Sequence, residues 1–453
     1  MSESSLRIEA LRRFLRHETR TAQEITTALS IGQPTLSRTI RDAPELFTSF
    51  RISGDRVPKY GLLRQLPGGL NPRQTVYRVS MDGAIEPASQ MEFLEGGGTV
   101  ELSGLRNTLY AGLPPHMAFA APSGFLGRQV ARNAALEMQF PESLRDWSDE
   151  QRIAYLFTRG LNLPGNLIYG DTSLQKEMAF RQLSPVASAE KVSEYDAMAN
   201  QLKDASFGSS AGGEQPKFLC LTEDSGHVIV KFAKRGSRMA DLLCLEHLAL
   251  DALSVADVPA AHTNVLVSDT YIFLEVQRFD RVGRYGRIGM LSAGAIDDEY
   301  FGKRDTWSEF AARCEQAKYL SEGEVLKIHV MAAFSELIGN GDRHFENISV
   351  LLDGRGRFER VAPAYDILPM RYASLGGGVD PDLAPITPKI GTIGARPHVW
   401  GRAIRAAEVF WGSVTHDTSR LPIPRAFREL AVSNLSAARD FVAPLIPGAP
   451  SGI

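Results

Sequence analysis

Asn347 follows Asp342 by five positions in the run Gly341-Asp342-Arg343-His344-Phe345-Glu346-Asn347, and another carboxylate, Asp366, comes next in Pro363-Ala364-Tyr365-Asp366-Ile367. No other feature restricts the fold as strongly. An offset of five on a loop aims both side chains into one cleft, and a strand further on must bring Asp366 to the same place. There, one carboxylate can orient and deprotonate a hydroxyl, while the amide and the second carboxylate hold Mg²⁺ against the β- and γ-phosphates of a nucleotide. The spacing therefore predicts phosphoryl transfer.

At 453 residues the chain exceeds one hydrophobic core, and two to four domains are expected. A hydrophobic content of 43% with 23% charged residues is that of a globular protein, not a disordered or fibrous one. No stretch approaches the ~18 to 20 apolar residues that span a bilayer, and the N-terminus lacks the apolar core of a signal peptide. Cys220, Cys244 and Cys314 are far apart and odd in number. They read as reduced packing residues in a cytoplasmic protein, away from any membrane. The net charge of −3 conceals an asymmetry: residues 1–80 hold 13 Lys+Arg against 7 Asp+Glu, a balance of +6, leaving −9 for the rest. Only the first module is suited to a polyanion.

That module reads as helix-turn-helix. Leu6, Ile8, Leu11, Phe14 and Leu15 recur at helical spacing. Thr21 with Glu24 forms a capping box for a second helix, Ile31-Gly32 is a turn, and Pro34 sits in the first turn of a third. The third helix would present Gln33, Thr35, Ser37, Arg38 and Arg41 to base edges and phosphates. Strands at 50–57 and 75–79 would complete a wing carrying Arg51, Arg56, Lys59 and Arg64. Residues 81–190 suggest a small sheet followed by helices, with no evident chemistry.

From 191 the pattern changes to strands. The glycines of the stretch Ser209-Ser210-Ala211-Gly212-Gly213-Glu214-Gln215-Pro216-Lys217 would let backbone N–H groups cradle phosphate, although such a stretch alone is a plain surface turn in the large majority of cases. Lys231 ends the alternating run Val228-Ile-Val-Lys, and Glu246 lies fifteen residues on in a helix, where it could pair with Lys231. Gln277 and Phe279, in Leu274-Glu-Val-Gln-Arg-Phe-Asp-Arg281, would form a hinge against adenine. Most of 308–340 is expected to be helical. Glycine loop, lysine, glutamate, hinge, aspartate, asparagine and aspartate follow the order of protein kinases. Strand-rich followed by helix-rich sequence is the matching two-lobed α+β layout. His329 and His344 fall on different elements and suggest no metalloprotease.

The stretch Ser210–Lys217, together with Val-Lys-Phe, Gln-Arg-Phe-Asp-Arg, Gly-Asp-Arg-His-Phe-Glu-Asn and Ala-Pro-Ala-Tyr-Asp-Ile-Leu, resembles the HipA family of bacterial serine/threonine-kinase toxins over about residues 90–440. The added N-terminal module resembles an orphan branch of that family in which the helix-turn-helix is fused rather than supplied by a separate antitoxin. The resemblance implies four regions: a winged helix-turn-helix DNA-binding domain (1–80), a HipA-like N-terminal subdomain (81–190), a kinase N-lobe-like region (191–307) and a helical C-lobe (308–453). It implies ATP and Mg²⁺ as cofactors, with Lys231 on the phosphates, Asp342 as base, and Asn347 and Asp366 on the metal. Ser210, Gly212, Gly213, Lys217, Glu246, Gln277 and Phe279 would complete the nucleotide site. Ser210 falls at the autophosphorylation position, where phosphate would add about −1.5 to −2 charge. Gln277 departs from the glutamate common in the family's hinge. The implied partners are DNA, a second copy of the chain, and a protein substrate from translation such as an aminoacyl-tRNA synthetase. A different class of function stays open: a DNA-binding transcriptional regulator that uses the kinase-like fold as nucleotide sensor or dimerisation scaffold. So does a third reading, in which residues 1–80 are a built-in antitoxin.

Overall fold

A computed structural model describes residues 3–104, 106–205, 215–374, 379–416 and 421–446. The expected phosphate-loop residues Ser210, Gly212 and Gly213 lie outside the described residues. The chain divides into two compact units, the first comprising 1–80, 84–123 and 127–182, the second 81–83, 124–126 and 183–453. Among the described residues no helix is long and apolar enough to cross a membrane.

The first unit opens with α1 (Glu3–Phe14), α2 (Ala22–Leu29) and α3 (Gln33–Asp42), and with strands β1 (Arg20–Thr21), β2 (Phe47–Phe50) and β3 (Lys59–Leu62) in the antiparallel order β1-β3-β2. Thr21 Oγ1 accepts from the Glu24 N–H, and Glu24 Oε2 accepts from the Thr21 N–H at 2.7 Å, so the capping box starts α2. Ser30, in the left-handed region at φ 51°, ends it. Leu11, Leu15, Ile25, Leu36, Ala43, Phe47 and Leu62 close a small core.

Next comes an antiparallel sheet of β4 (Arg73–Val79), β5 (Ile85–Phe93), β6 (Thr99–Ser103), β7 (Thr108–Tyr110) and β8 (Leu167–Tyr169), in the order β7-β6-β5-β4-β8. The accompanying helices are α4 (Pro115–Ala120), α5 (Gly124–Met138), α6 (Asp149–Arg159) and α7 (Gly170–Phe180). Residues 75–79, expected to complete the wing, belong instead to β4 of this larger sheet, and the hairpin behind α3 is β2–β3. Arg64, expected on the wing, is only 6% exposed because its guanidinium reaches the Leu94 carbonyl at 2.8 Å and Glu150 at 3.0 Å. Arg73 bridges the two sheets, donating to Glu92 at 3.0 Å and to the carbonyls of Pro44 and Phe47 at 2.8 and 2.9 Å.

The second unit begins with α8 (Lys191–Ala205) and a sheet of β9 (Lys217–Thr222), β10 (Gly226–Lys234), β11 (Thr263–Val267) and β12 (Tyr271–Gln277), ordered β11-β12-β10-β9 and antiparallel throughout. Between β10 and β11 runs α9 (Arg238–Ala252). Directly opposed residues share a face of an antiparallel sheet. Lys231 opposes Lys217 and Leu274, whereas Val230 opposes Phe218 and Glu275 on the other face. Tyr195 and Ala199 of α8 join the core with Phe218, Val228, Val230, Phe232 and Phe273. The Lys231 face packs against α9. The chain continues through β13 (Arg281–Val282) and β14 (Gly286–Arg287), then β15 (Gly289–Ser292), α10 (Ala293–Tyr300), α11 (Trp307–Gln316), α12 (Glu322–Ile338), β16 (Ser349–Leu352), β17 (Phe358–Val361), α13 (Pro397–His416) and α14 (Arg425–Val442). Trp307, Phe310, Phe334, Trp400 and Trp411 are among its fully buried side chains.

Candidate active site

Lys231 points from β10 into a cluster of carboxylates. Its Nζ donates to Glu246 Oε1 of α9 at 2.5 Å and also to Asp366 Oδ1. The alternation of β10 decides which face Lys231 takes. Burial of Leu242, Leu245, Leu248 and Ala249 fixes the rotation of α9 that turns Glu246 inward, where it is fully buried. Burial opposes charge on Lys231, but the carboxylates of Asp366 and Glu246 outweigh it and raise the pKa of the ammonium. Burial likewise opposes charge on Asp366, yet Lys231 and then Lys217 hold its carboxyl well below the usual range. Glu246 goes the other way, its pKa raised because burial exceeds the pull of Lys231. Its second oxygen, Oε2, is buried without a hydrogen-bond partner.

The loop after α12 is shaped by backbone geometry. Gly339 ends the helix in the left-handed region at φ 75°, and a Cβ there would press on Ile386 at 2.9 Å. Asn340 Oδ1 accepts from the Asp342 N–H at 3.1 Å, and Asn347 Nδ2 donates to the Asp342 carbonyl at 2.9 Å. Asn347 Oδ1 is left as an oxygen donor. His344 lies between two carboxylates, with Nε2 3.4 Å from Asp342 Oδ1 and Nδ1 3.3 Å from Glu346 Oε2. Its pKa is raised, first by the hydrogen bond to Glu346, against some burial, and then by the charges of Asp342, Glu346 and Asp366.

Asp366 adopts φ 53°, a left-handed conformation that a non-glycine residue keeps only when its surroundings enforce it. The enforcement is visible at the two preceding residues, Ala364 and Tyr365. Ala364 exchanges backbone bonds of 2.8 Å with Pro259 and Ala261, and the Tyr365 hydroxyl meets Ser349 Oγ at 2.7 Å and donates to the Glu346 carbonyl at 2.8 Å. The Tyr365 ring packs on Phe279 with centroids 5.6 Å apart.

Lys231, Glu246 and Asp366 are thus in contact, Asp342 and Asn347 form a second pair, and His344 couples electrostatically to both aspartates. Lys217 stands opposite Lys231 and lowers the pKa of Asp366 through space. Phe279 reaches the residue next to Asp366. Gln277 does not join them through its side chain: it opposes Val228, on the face away from Lys231, and donates to the Ser225 carbonyl at 3.2 Å. The backbone N–H groups of Gln277 and Arg278 are occupied as well, by the carbonyls of His262 and His227. In the first unit, α3 exposes Gln33, Ser37, Arg38 and Arg41, with Thr35 half-buried. Sequence reasoning missed Arg304, whose Nη1 donates to Glu346 Oε1 at 2.5 Å, because nothing in the intervening sequence marks a contact across 42 positions.

Residues 70–178 match the family model for the middle domain of YjjJ-like toxins, and residues 209–392 match that for the HipA-like C-terminal domain. Over 424 residues the chain is 30% identical to Toxin YjjJ of Escherichia coli K12, covering 91% of this chain and 93% of that protein. The chain belongs to the YjjJ-like branch of HipA-type toxins. Its fold is similar to that of HipA from Shewanella oneidensis MR-1, solved with HipB and operator DNA, at a TM-score of 0.50 and 15% identity over 82% of this chain and 97% of that one. A second structure, the Helicobacter pylori proinflammatory kinase CtkA, aligns with 53% of this chain and 91% of its own at a TM-score of 0.38 and 13% identity. In this YjjJ-like toxin the stretch that matches the HipA-like C-terminal domain contains the buried Lys231 cluster.

Proposed function

We propose that this YjjJ-like toxin is an ATP-dependent serine/threonine protein kinase with a DNA-binding N-terminal module. The observation that carries the reading is the buried contact of Lys231 with Glu246 and Asp366 beside the Asp342–Asn347 pair. A buried lysine between two carboxylates is a poor way to gain stability, because desolvation consumes most of the attraction. It is a good way to hold a cation where phosphates arrive.

The residues present suit MgATP. Asn347 Oδ1 and the Asp366 carboxylate are hard oxygen donors of the kind Mg²⁺ takes together with phosphate oxygens, and bound Mg²⁺ would supply charge neutralisation on the transferring phosphoryl group. Lys231 would meet the α- and β-phosphates, steadied by Glu246, with Lys217 adding positive field. Asp342 would orient the acceptor hydroxyl and take its proton. Phe279 would border the base, and Gln277 could contribute through its carbonyl only. Ser210, with Gly212 and Gly213, would form the phosphate loop and accept the enzyme's own phosphate. The protein substrate would be a component of translation, such as an aminoacyl-tRNA synthetase, met in the cytoplasm.

For the N-terminal module, three helices with a three-stranded sheet and the exposed row Gln33, Ser37, Arg38 and Arg41, bordered by Thr35, support a winged helix-turn-helix that reads DNA, as a dimer on two half-sites. The test of the kinase reading is incubation of the protein with Mg²⁺ and γ-labelled ATP beside Asp342→Ala and Ser210→Ala. Label that vanishes in Asp342→Ala and maps to Ser210 supports transfer. ATP bound without label would refute it and leave the nucleotide-sensing regulator.

A further inference from the structure

Beside the Asp342 loop is a built arrangement that the mechanism above does not use. Asp297 of α10 is fully buried, and its Oδ2 accepts from the backbone N–H groups of Lys303 and Arg304 at 2.7 and 2.8 Å. Its Oδ1 accepts from Arg313 at 3.0 Å. These bonds hold Arg304 at φ 46°, a left-handed conformation unfavourable for an arginine. So held, Arg304 grips Asp298 with a two-pronged fork at 2.6 and 2.7 Å and donates to Glu346 at 2.5 Å. Glu346 in turn meets His344 Nδ1, and His344 Nε2 meets Asp342 Oδ1. Gly294 leaves room for the pair: a Cβ there would stand 2.7 Å from Arg304 Nη1 and closer still to Glu346 Oε1.

Arg304, Glu346 and His344 are each about half exposed. Half-exposed ion pairs return little stability. A buried carboxylate and a strained arginine are a poor exchange for that return, and the chain of contacts ends on the carboxylate that must be aimed. Resting on the reading of Asp342 as base, we propose that Arg304, Glu346 and His344 are positioning residues for phosphoryl transfer. The Arg304 fork fixes Glu346, Glu346 fixes the plane of the His344 ring, and the ring holds Asp342 Oδ1 while Asn347 Nδ2 lies 3.5 Å from Oδ2, so that the carboxylate keeps one orientation toward the acceptor hydroxyl. His344 reaches the Lys231 cluster only through space, by its charge interaction with Asp366.

The test uses the full-length protein and follows self-labelling from γ-labelled ATP, recording the maximal rate and the ATP concentration giving half of it. In Arg304→Ala and His344→Gln the maximal rate should fall by between about tenfold and about a hundredfold, the range expected when a catalytic group is misaimed. The half-saturating ATP concentration should stay within about twofold. Combining the two substitutions should cost no more than the worse single one, since they break one chain. Gly294→Ala, which displaces the Arg304–Glu346 pair without altering a charge, should reproduce the loss even if Arg304→Ala folds poorly, and Arg304→Lys should restore little of it because the fork is lost. Maximal rates within about twofold of the wild type would overturn the proposal, as would half-saturation rising in step with the loss of rate. A wild-type protein that transfers no phosphate would overturn the kinase reading itself.

Discussion

Replacing Lys231 by methionine keeps the length and the apolar stem of the side chain but removes the charge that joins Glu246 and Asp366. The two carboxylates respond differently. Asp366 has a side chain 29% exposed and can recover hydration, whereas Glu246 is at 0% and cannot. In the variant, Glu246 must stay charged without a partner or take up a proton. Breaking a buried pair from one side costs about 3 to 5 kcal/mol, and the partial exposure of Asp366 favours the lower end, about 3 kcal/mol at about pH 8. Where the pH is low enough for Glu246 to take up a proton, the variant has lost little more than a hydrogen bond, about 1 kcal/mol. The sign follows from linkage: a carboxyl whose folded pKa is raised stabilises the fold below its unfolded pKa and loses that contribution as pH rises. The variant's deficit should therefore grow with pH. Thermal unfolding followed by tryptophan fluorescence is the assay, since Trp307, Trp400 and Trp411 are buried in the second unit. For a unit of this size a deficit of about 3 kcal/mol corresponds to a melting point lower by about 5 °C. A change of less than about 1 kcal/mol at about pH 8, or a deficit that shrinks as pH rises, would refute the reasoning.

His329, buried on α12, has its pKa lowered to about 4, by burial first and then by Arg396 and His398. The unfolded chain binds its proton more readily, so this residue should cost stability as pH falls from about 6.5 to about 4, by about 3 kcal/mol across that window; acid titration of His329→Leu should show a midpoint moved to lower pH. Burial pushes the Cys244 and Cys314 thiols up to about 12 and Cys220 up to about 11. A chromogenic disulfide reagent at about pH 8 should therefore find almost no native thiolate and react fully only after denaturation. If α3 reads DNA, Arg38→Ala and Arg41→Ala should each lower affinity and reduce the salt dependence by about one released counterion. Gel-shift titrations over a range of salt concentrations check this, and unchanged slopes would remove those residues from the interface.

Where chemistry is local, the sequence is readable by itself. The Thr21–Glu24 capping box, Pro34 in the first turn of α3, the alternation that places Lys231 on β10 and the apolar stripe that turns Glu246 inward all act within a few residues, and each forms as its pattern predicts. The ordered set Lys231, Glu246, Asp342, Asn347 and Asp366 was legible for the same reason, because each member carries its own short signal. Tertiary structure decided what depends on pairing across the chain. Residues 75–79 have the alternation of a strand wherever they pair, and only the neighbouring strand β5 places them in the larger sheet. Gln277 turns away from the cluster because strand register, with its period of two, assigns it to the opposite face. Arg304 reaches Glu346 only because buried Asp297 ties its backbone into a conformation that no local preference of arginine would select. Local patterns record what a residue can do within its own turn or strand; which residues meet is set by the burial and register of segments far apart in the chain.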